Sequence, residues 1–238
     1  MSSASAKNLE KSANDSILQQ TRHAIEVARS AAASCAEGLA SGSTESVERL
    51  RGYEDELDNI DHDLNEAVTA AVTQANAQDA RELLACLKFI LELERIGDLL
   101  LNVVNRASTI VSRIDPQDSK DLIMMASLLE KMLGDVHEAF SRRDLQKTLQ
   151  VLRADAELDR LRNLIFMRHV ENREHQPRQE SFHVVFMTQT IERAGDHVKN
   201  LAEEVCQLVT GQSVRHLLRS KDKPYELLFV EWMRKQKK

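Results

Sequence analysis

Two six-residue stretches, Leu93-Glu94-Arg95-Ile96-Gly97-Asp98 and Ile191-Glu192-Arg193-Ala194-Gly195-Asp196, each set a glutamate and an aspartate four residues apart inside a long apolar-periodic segment. In a helix that spacing places both carboxylates on one face. The like charges repel, at a cost of roughly 0.2–0.5 kcal/mol on an isolated helix. A second acidic pair precedes each stretch: Glu54 and Asp58 in the first case, Asp155 and Asp159 in the second. Carboxylates that face one another across neighbouring helices raise each other's pKa or attract a cation. An all-oxygen donor set suits hard ions such as Mg²⁺, Ca²⁺, Mn²⁺ and ferrous or ferric iron better than a thiol-preferring metal.

The pairs recur in register. Glu192 follows Glu94 by 192 − 94 = 98 residues, and Asp155 follows Glu54 by 155 − 54 = 101. The apolar seam Cys86, Phe89, Leu93, Ile96, Leu100, Val103 reappears as Val184, Met187, Ile191, Ala194, Val198, Leu201. Asn102 and Asn200 match as well, each four residues past its aspartate and so expected on the acidic face. The chain reads as an internal duplication.

These two signatures, with His197, Asn200 and the following Leu201-Ala202-Glu203-Glu204-Val205, resemble the paired signature of the PhoU family of phosphate-transport regulators. The stretch from Leu208 to His216 resembles the family's usual close, so the resemblance spans roughly residues 12 to 216. It implies that the acid-x-x-x-Asp motifs bind metal on the bundle surface, with Glu54, Asp58, Glu94, Asp98, Asp155, Asp159, Glu192 and Asp196 as ligands. The cofactor implied is a divalent or trivalent metal ion, with iron, manganese, zinc and magnesium all open. It further implies a non-enzymatic negative regulator of phosphate uptake and of the phosphate-starvation response. Its partners would be a phosphate ABC transporter and the sensor histidine kinase of a two-component system. A homodimer is expected, with membrane association only through partners.

Helices must position these groups. Only 7 Gly and 3 Pro punctuate 238 residues and aromatics make up 4%, a composition that favours an all-α fold with an aliphatic core. After a flexible lead-in over residues 1–13, apolar periodicity predicts six helices, the first from about Asp15 to Leu39 and the second from about Glu45 to Thr73. The third runs from Asn76 or Asp79 to Arg113 and stops before Asp115-Pro116. Asp118 and Ser119 are expected to cap the fourth, which ends near Ser141, and Asp144 opens the fifth. A break over residues 172–177 precedes the sixth helix, which stops at Gly211. Short connections make neighbours antiparallel. The expected architecture is two tandem three-helix bundles, residues 14–115 and 116–211, followed by a basic and apolar tail over residues 212–238.

With Ile191 and Ala194 at the seam, Glu192 and Asp196 point outward, as do Glu94 and Asp98, while the earlier pairs flank the seam of their own helices. A solvated acidic face is the competing explanation, and Lys199, three residues past Asp196, could neutralise that pair locally. Gly97 and Gly195 each cost about 1 kcal/mol relative to Ala and imply close approach of a neighbouring helix. Arg95 and Arg193 recur and could pair with acids of an adjacent helix. The halves also differ: Asp58 is followed at four-residue steps by His62 and Glu66, Asp159 by Asn163 and Met167. Unequal metal occupancy is the expectation.

Other classes fare worse. A formal charge of −6 argues against a nucleic-acid partner. Cys35, Cys86 and Cys206 show no metal-type clustering and no disulfide framework. No apolar run reaches transmembrane length and the start lacks a signal-peptide core, so a cytoplasmic location is expected. The alternative function is a helical-bundle metal-dependent redox or storage protein. A di-iron site of that kind needs paired Glu-x-x-His motifs, and only Glu180 and His183 fit. His169, His175, His197 and His216 read as surface residues.

Overall fold

Six long helices carry the chain in the computed structural model, which describes residues 3–171 and 179–212. They are α1 (Ser3–Ser41), α2 (Thr44–Val72), α3 (Ala77–Ile110), α4 (Pro116–Arg142), α5 (Leu145–Phe166) and α6 (Gln179–Thr210). A 3-10 turn, Val111–Arg113, closes α3, and a π-helical turn, Met167–Glu171, closes α5.

Local chemistry explains most boundaries. The Ser43 hydroxyl accepts the Ser46 N–H at the start of α2, and Asp144 accepts the Gln146 N–H at the start of α5. The start of α4 differs from expectation. Asp115 is its cap, accepting from the Gln117 N–H, with Pro116 in the first turn. Asp118 is instead buried at 3% exposure. Arg143 ends α4 in the left-handed region at φ 55, and Gly211 at φ 72 follows the last turn of α6. The first helix begins well ahead of Asp15, because the Ala, Ser, Lys and Glu of that segment contain no breaker. The break expected over residues 172–177 and the tail from residue 213 onward lie outside the described residues.

Consecutive helices are antiparallel. His23 meets Glu56 while Glu37 meets Arg49 across α1 and α2. Lys147 meets Asp135 while Arg168 meets Asp121 across α4 and α5. The two triplets then join through α1 against α4 and α3 against α6. Arg29 pairs with Glu130 on the first contact, and Lys88 with Glu204 on the second. One apolar cluster runs through both halves. Phe89 of α3 and Phe140 of α4 are both buried in it with ring centroids 4.7 Å apart, a pairing that contributes about 0.5–1.5 kcal/mol beyond area burial. Helices α2 and α5 therefore flank a central layer made by the other four. Cys35, Cys86 and Cys206 are free and buried, as small apolar core residues.

Candidate metal centre

Two glycines set the geometry of the acidic faces. A Cβ built on Gly97 would lie 2.8 Å from Leu57 Cδ1, and one built on Gly195 would meet Leu158 Cδ2 more closely still. Both leucines are fully buried. Each glycine thus lets α2 lie directly against α3, or α5 against α6, at the level of the acids: Glu54 Cα is 3.9 Å from the Gly97 Cβ position. The contacts also confirm both repeat offsets, since 158 − 57 = 101 and 195 − 97 = 98.

In the first half, Glu54 and Asp58 of α2 face Glu94 and Asp98 of α3. Burial, then the charges of Asp58 and Asp98, hold the Glu54 carboxyl above its usual range, and Asp98 lies within hydrogen-bonding reach of it. Burial and the charges of Asp98, Asp58 and Asp61 do the same to Glu94, against a smaller opposing pull from Arg95 on the same helix. Asp61, which sequence reasoning passed over, belongs to this group, its own pKa raised by burial and by Asp58. Among the described residues no lysine or arginine forms an ion pair with any of these five acids.

The second half brings its four acids together differently. Asp155 is buried at 7% exposure and receives a 2.5 Å hydrogen bond from Lys199 Nζ. Burial raises its pKa while Lys199 opposes the rise. Lys199 therefore serves Asp155 across the helix interface and not the neighbouring Asp196 on its own helix. Arg162 places Nη2 3.4 Å from Asp159 Oδ1 and Nε 3.6 Å from Glu192 Oε1. Burial and Asp196 raise the Glu192 pKa, and Arg162 works against them. Arg162, and not the repeated Arg193, is the arginine that crosses to the adjacent helix.

Several other residues stand elsewhere than the sequence indicated. Asn200 does not join the acidic face: its side chain donates to Glu92 Oε2 at 3.3 Å, where His197 Nδ1 also meets Glu92. Burial pushes the Glu92 carboxyl up, and these two hydrogen bonds together with the charges of His197 and Arg95 more than offset it, leaving the pKa below the usual value. His169 is no free surface residue either, since its Nε2 lies 2.9 Å from buried Asp118 Oδ2. Arg168 binds Asp118 and Asp121 beside it. His183 sits 3.2 Å from Arg106, which removes it from any Glu-x-x-His metal motif. His175 and His216 fall outside the described residues. Reading the repeat one helical turn further along each helix would have found Arg162 at the position equivalent to Asp61 and Lys199 at the position equivalent to Leu101.

Among the described residues, no three His, Cys, Asp or Glu side chains already stand close enough to hold a metal ion. The donor chemistry nevertheless separates the halves. The first offers carboxylate oxygens only, held together at an electrostatic cost that a hard cation would remove. Glu54, Asp58, Glu94 and Asp98 would hold the ion, which would supply charge neutralisation and a cross-link between α2 and α3. The second does not fit a metal as it stands, because Lys199 and Arg162 already supply the positive charge.

Comparison with known proteins gives the family. A model of the PhoU domain matches residues 21–107 and, a second time, residues 122–205. The chain belongs to the PhoU family. Each match lies within one helical triplet, so the duplication read from the acids is the family's tandem domain. The phosphate-specific transport system accessory protein PhoU homolog of Caulobacter vibrioides is 29% identical over 194 residues, covering 79% of this chain and 84% of that one. The PhoU accessory protein of Serratia marcescens is 32% identical over 152 residues, 62% of this chain and 61% of its own. The crystal structure of PhoU from Pseudomonas aeruginosa superposes with a TM-score of 0.75 at 23% identity, covering 86% of this chain and 99% of that chain. The PhoU regulatory protein of Streptococcus pneumoniae gives 0.76 at 17% identity over the same shares and, like the first, bears on the fold. The family places this chain among phosphate-transport accessory and regulatory proteins, not enzymes. No described helix is long and apolar enough to cross a membrane.

Proposed function

We propose that this PhoU-family chain is a cytoplasmic negative regulator of phosphate uptake and of the phosphate-starvation response, an adaptor between a phosphate ABC transporter and a sensor histidine kinase. The names of its relatives, which tie them to the phosphate-specific transport system, support the transporter side. In this reading residues 14–115 and 116–211 are the two repeats, preceded by a lead-in and followed by a tail over residues 212–238. The adaptor works as a homodimer and reaches the membrane only through its partners.

The observation that carries the site assignment is the convergence of Glu54, Asp58, Glu94 and Asp98, none of them ion-paired to a lysine or arginine among the described residues. A metal there fastens α2 to α3 and stiffens the docking face they form. Rigid long helices suit docking, since little conformational freedom is lost on binding. The redox or storage alternative finds no support, because the one Glu-x-x-His pair has its histidine engaged by Arg106.

A pull-down from membranes of phosphate-replete cells tests the adaptor role. The tagged chain retains transporter subunits and the sensor kinase, and deleting its gene leaves the starvation response switched on in replete medium. Recovery of neither partner, with normal repression in the deletion strain, would remove the proposal.

A further inference from the structure

The repeat puts cations in the second half where the first half has an acid or an apolar residue. On α2 and α5, offset by 101 residues, Asp61 of the first half corresponds to Arg162 of the second. On α3 and α6, offset by 98 residues, Leu101 corresponds to Lys199. Both correspondences are anchored by the Gly97–Leu57 and Gly195–Leu158 contacts, which lie between the substituted positions. The consequences are visible in the geometry. Lys199 Nζ is 2.5 Å from Asp155 Oδ2, and the two side chains are 15% and 9% exposed, so the pair is largely withdrawn from water. Arg162 reaches toward both Asp159 and Glu192, one from each helix. In the first half Leu101 instead packs against the apolar core, and Asp61 adds a further negative charge that Glu94 feels.

We propose that Lys199 and Arg162 are resident counter-cations that close the second acidic cluster to metal, so that metal loading of this chain is confined to the first half. An ammonium held by Asp155 and a guanidinium beside Asp159 and Glu192 do there what a bound ion does in the first half: they neutralise facing acids and tie two helices together. A metal entering the second half must displace the Lys199–Asp155 pair and expose a largely buried ammonium to a second cation. The duplicated fold thus keeps one metal-responsive bundle and one whose helix contact is independent of metal supply. This inference rests on the reading that the first-half carboxylates bind metal.

Exchanging the cations between the halves tests it. Mn²⁺ binding to the full-length chain is followed through the electron paramagnetic resonance signal of the free ion, with circular dichroism as the check on folding. The wild type binds Mn²⁺, and the binding is lost in Glu54→Gln with Glu94→Gln but kept in Asp159→Asn with Glu192→Gln. Lys199→Leu with Arg162→Asp, which gives the second half the residues of the first, adds a second set of sites. Leu101→Lys with Asp61→Arg, which makes the opposite transfer, weakens first-half binding by at least about tenfold while the helices stay folded. Wild-type binding at both halves, or a folded Leu101→Lys, Asp61→Arg chain that binds as tightly as wild type, would overturn this inference and leave the metal reading intact. No binding by the wild type would overturn the metal reading and this inference with it.

Discussion

Replacing Gly195 by alanine isolates the contact on which the acidic faces depend. Two effects of opposite sign compete. In a helix interior the change from glycine to alanine stabilises by about 1 kcal/mol through backbone entropy. Overpacking a well-filled core costs about 1–3 kcal/mol, and the new methyl would collide with Leu158 Cδ2, which belongs to a residue only 1% exposed. The net expectation is a loss of about 0–2 kcal/mol. Gly97→Ala should lose less, because its Cβ would meet Leu57 Cδ1 at 2.8 Å, a milder clash. Gly52 supplies the control, being helical with nothing within 4 Å of its added Cβ. Gly52→Ala should therefore gain about 0.5–1 kcal/mol. Urea unfolding followed by circular dichroism measures all three. Leu158→Ala, worth about 2–5 kcal/mol in the wild type, should cost at least about 1 kcal/mol less in the Gly195→Ala background, the coupling expected of residues in contact. If Gly195→Ala is as stabilising as Gly52→Ala and shows no coupling to Leu158, the helices do not need the glycine to approach, and the explanation of the acidic face fails.

The same geometry governs the response to pH. Glu54 and Glu94 have folded pKa values raised above 4.5, so the folded metal-free chain binds protons more readily than the unfolded one. Stability from this cluster therefore increases as pH falls from neutral through the raised values and is lost again as pH rises through them. Glu54→Gln should raise the melting temperature of the metal-free chain at pH 7 and flatten its rise toward pH 5; an unchanged slope would contradict the mutual repulsion. Glu92 has the opposite sign, since its folded pKa lies below 4.5. Its contribution is present above that value and lost as pH falls through the folded one, so Glu92→Gln should destabilise at pH 7 and show a smaller acid-induced loss in melts between pH 5 and 3. Asp118→Asn strips Arg168 and His169 of a buried anionic partner and should cost about 1–3 kcal/mol by urea unfolding, whereas a loss no larger than that of exposed Asp63→Asn would mean the cluster at that end of α4 contributes nothing.

The fold was legible because its signals are local and repeated. Six apolar stripes, the absence of breakers and the Asp144 and Gly211 punctuation define the helices without knowledge of their neighbours. The acid pairs were legible for the same reason, as i, i+4 spacings that survive duplication. What the sequence concealed depends on which helix faces which. Lys199 looked like a partner for Asp196 on its own helix, but α5 runs antiparallel beside α6 and presents Asp155 at hydrogen-bonding distance. Asn200 and His197 lie toward the α3 contact, a rotation that heptad lettering within one triplet does not contain. Asp118 is a sound cap by residue type, yet Asp115 beside Pro116 takes that role and leaves Asp118 to be buried against Arg168.

Anomalous X-ray diffraction from crystals of the full chain equilibrated with Mn²⁺ locates the bound ion. An anomalous peak is expected between α2 and α3, within coordination distance of carboxylate oxygens of Glu54, Asp58, Glu94 and Asp98, and none beside Asp155. A map featureless at those four carboxylates, or one whose strongest peak lies against Lys199 and Arg162, would contradict this assignment.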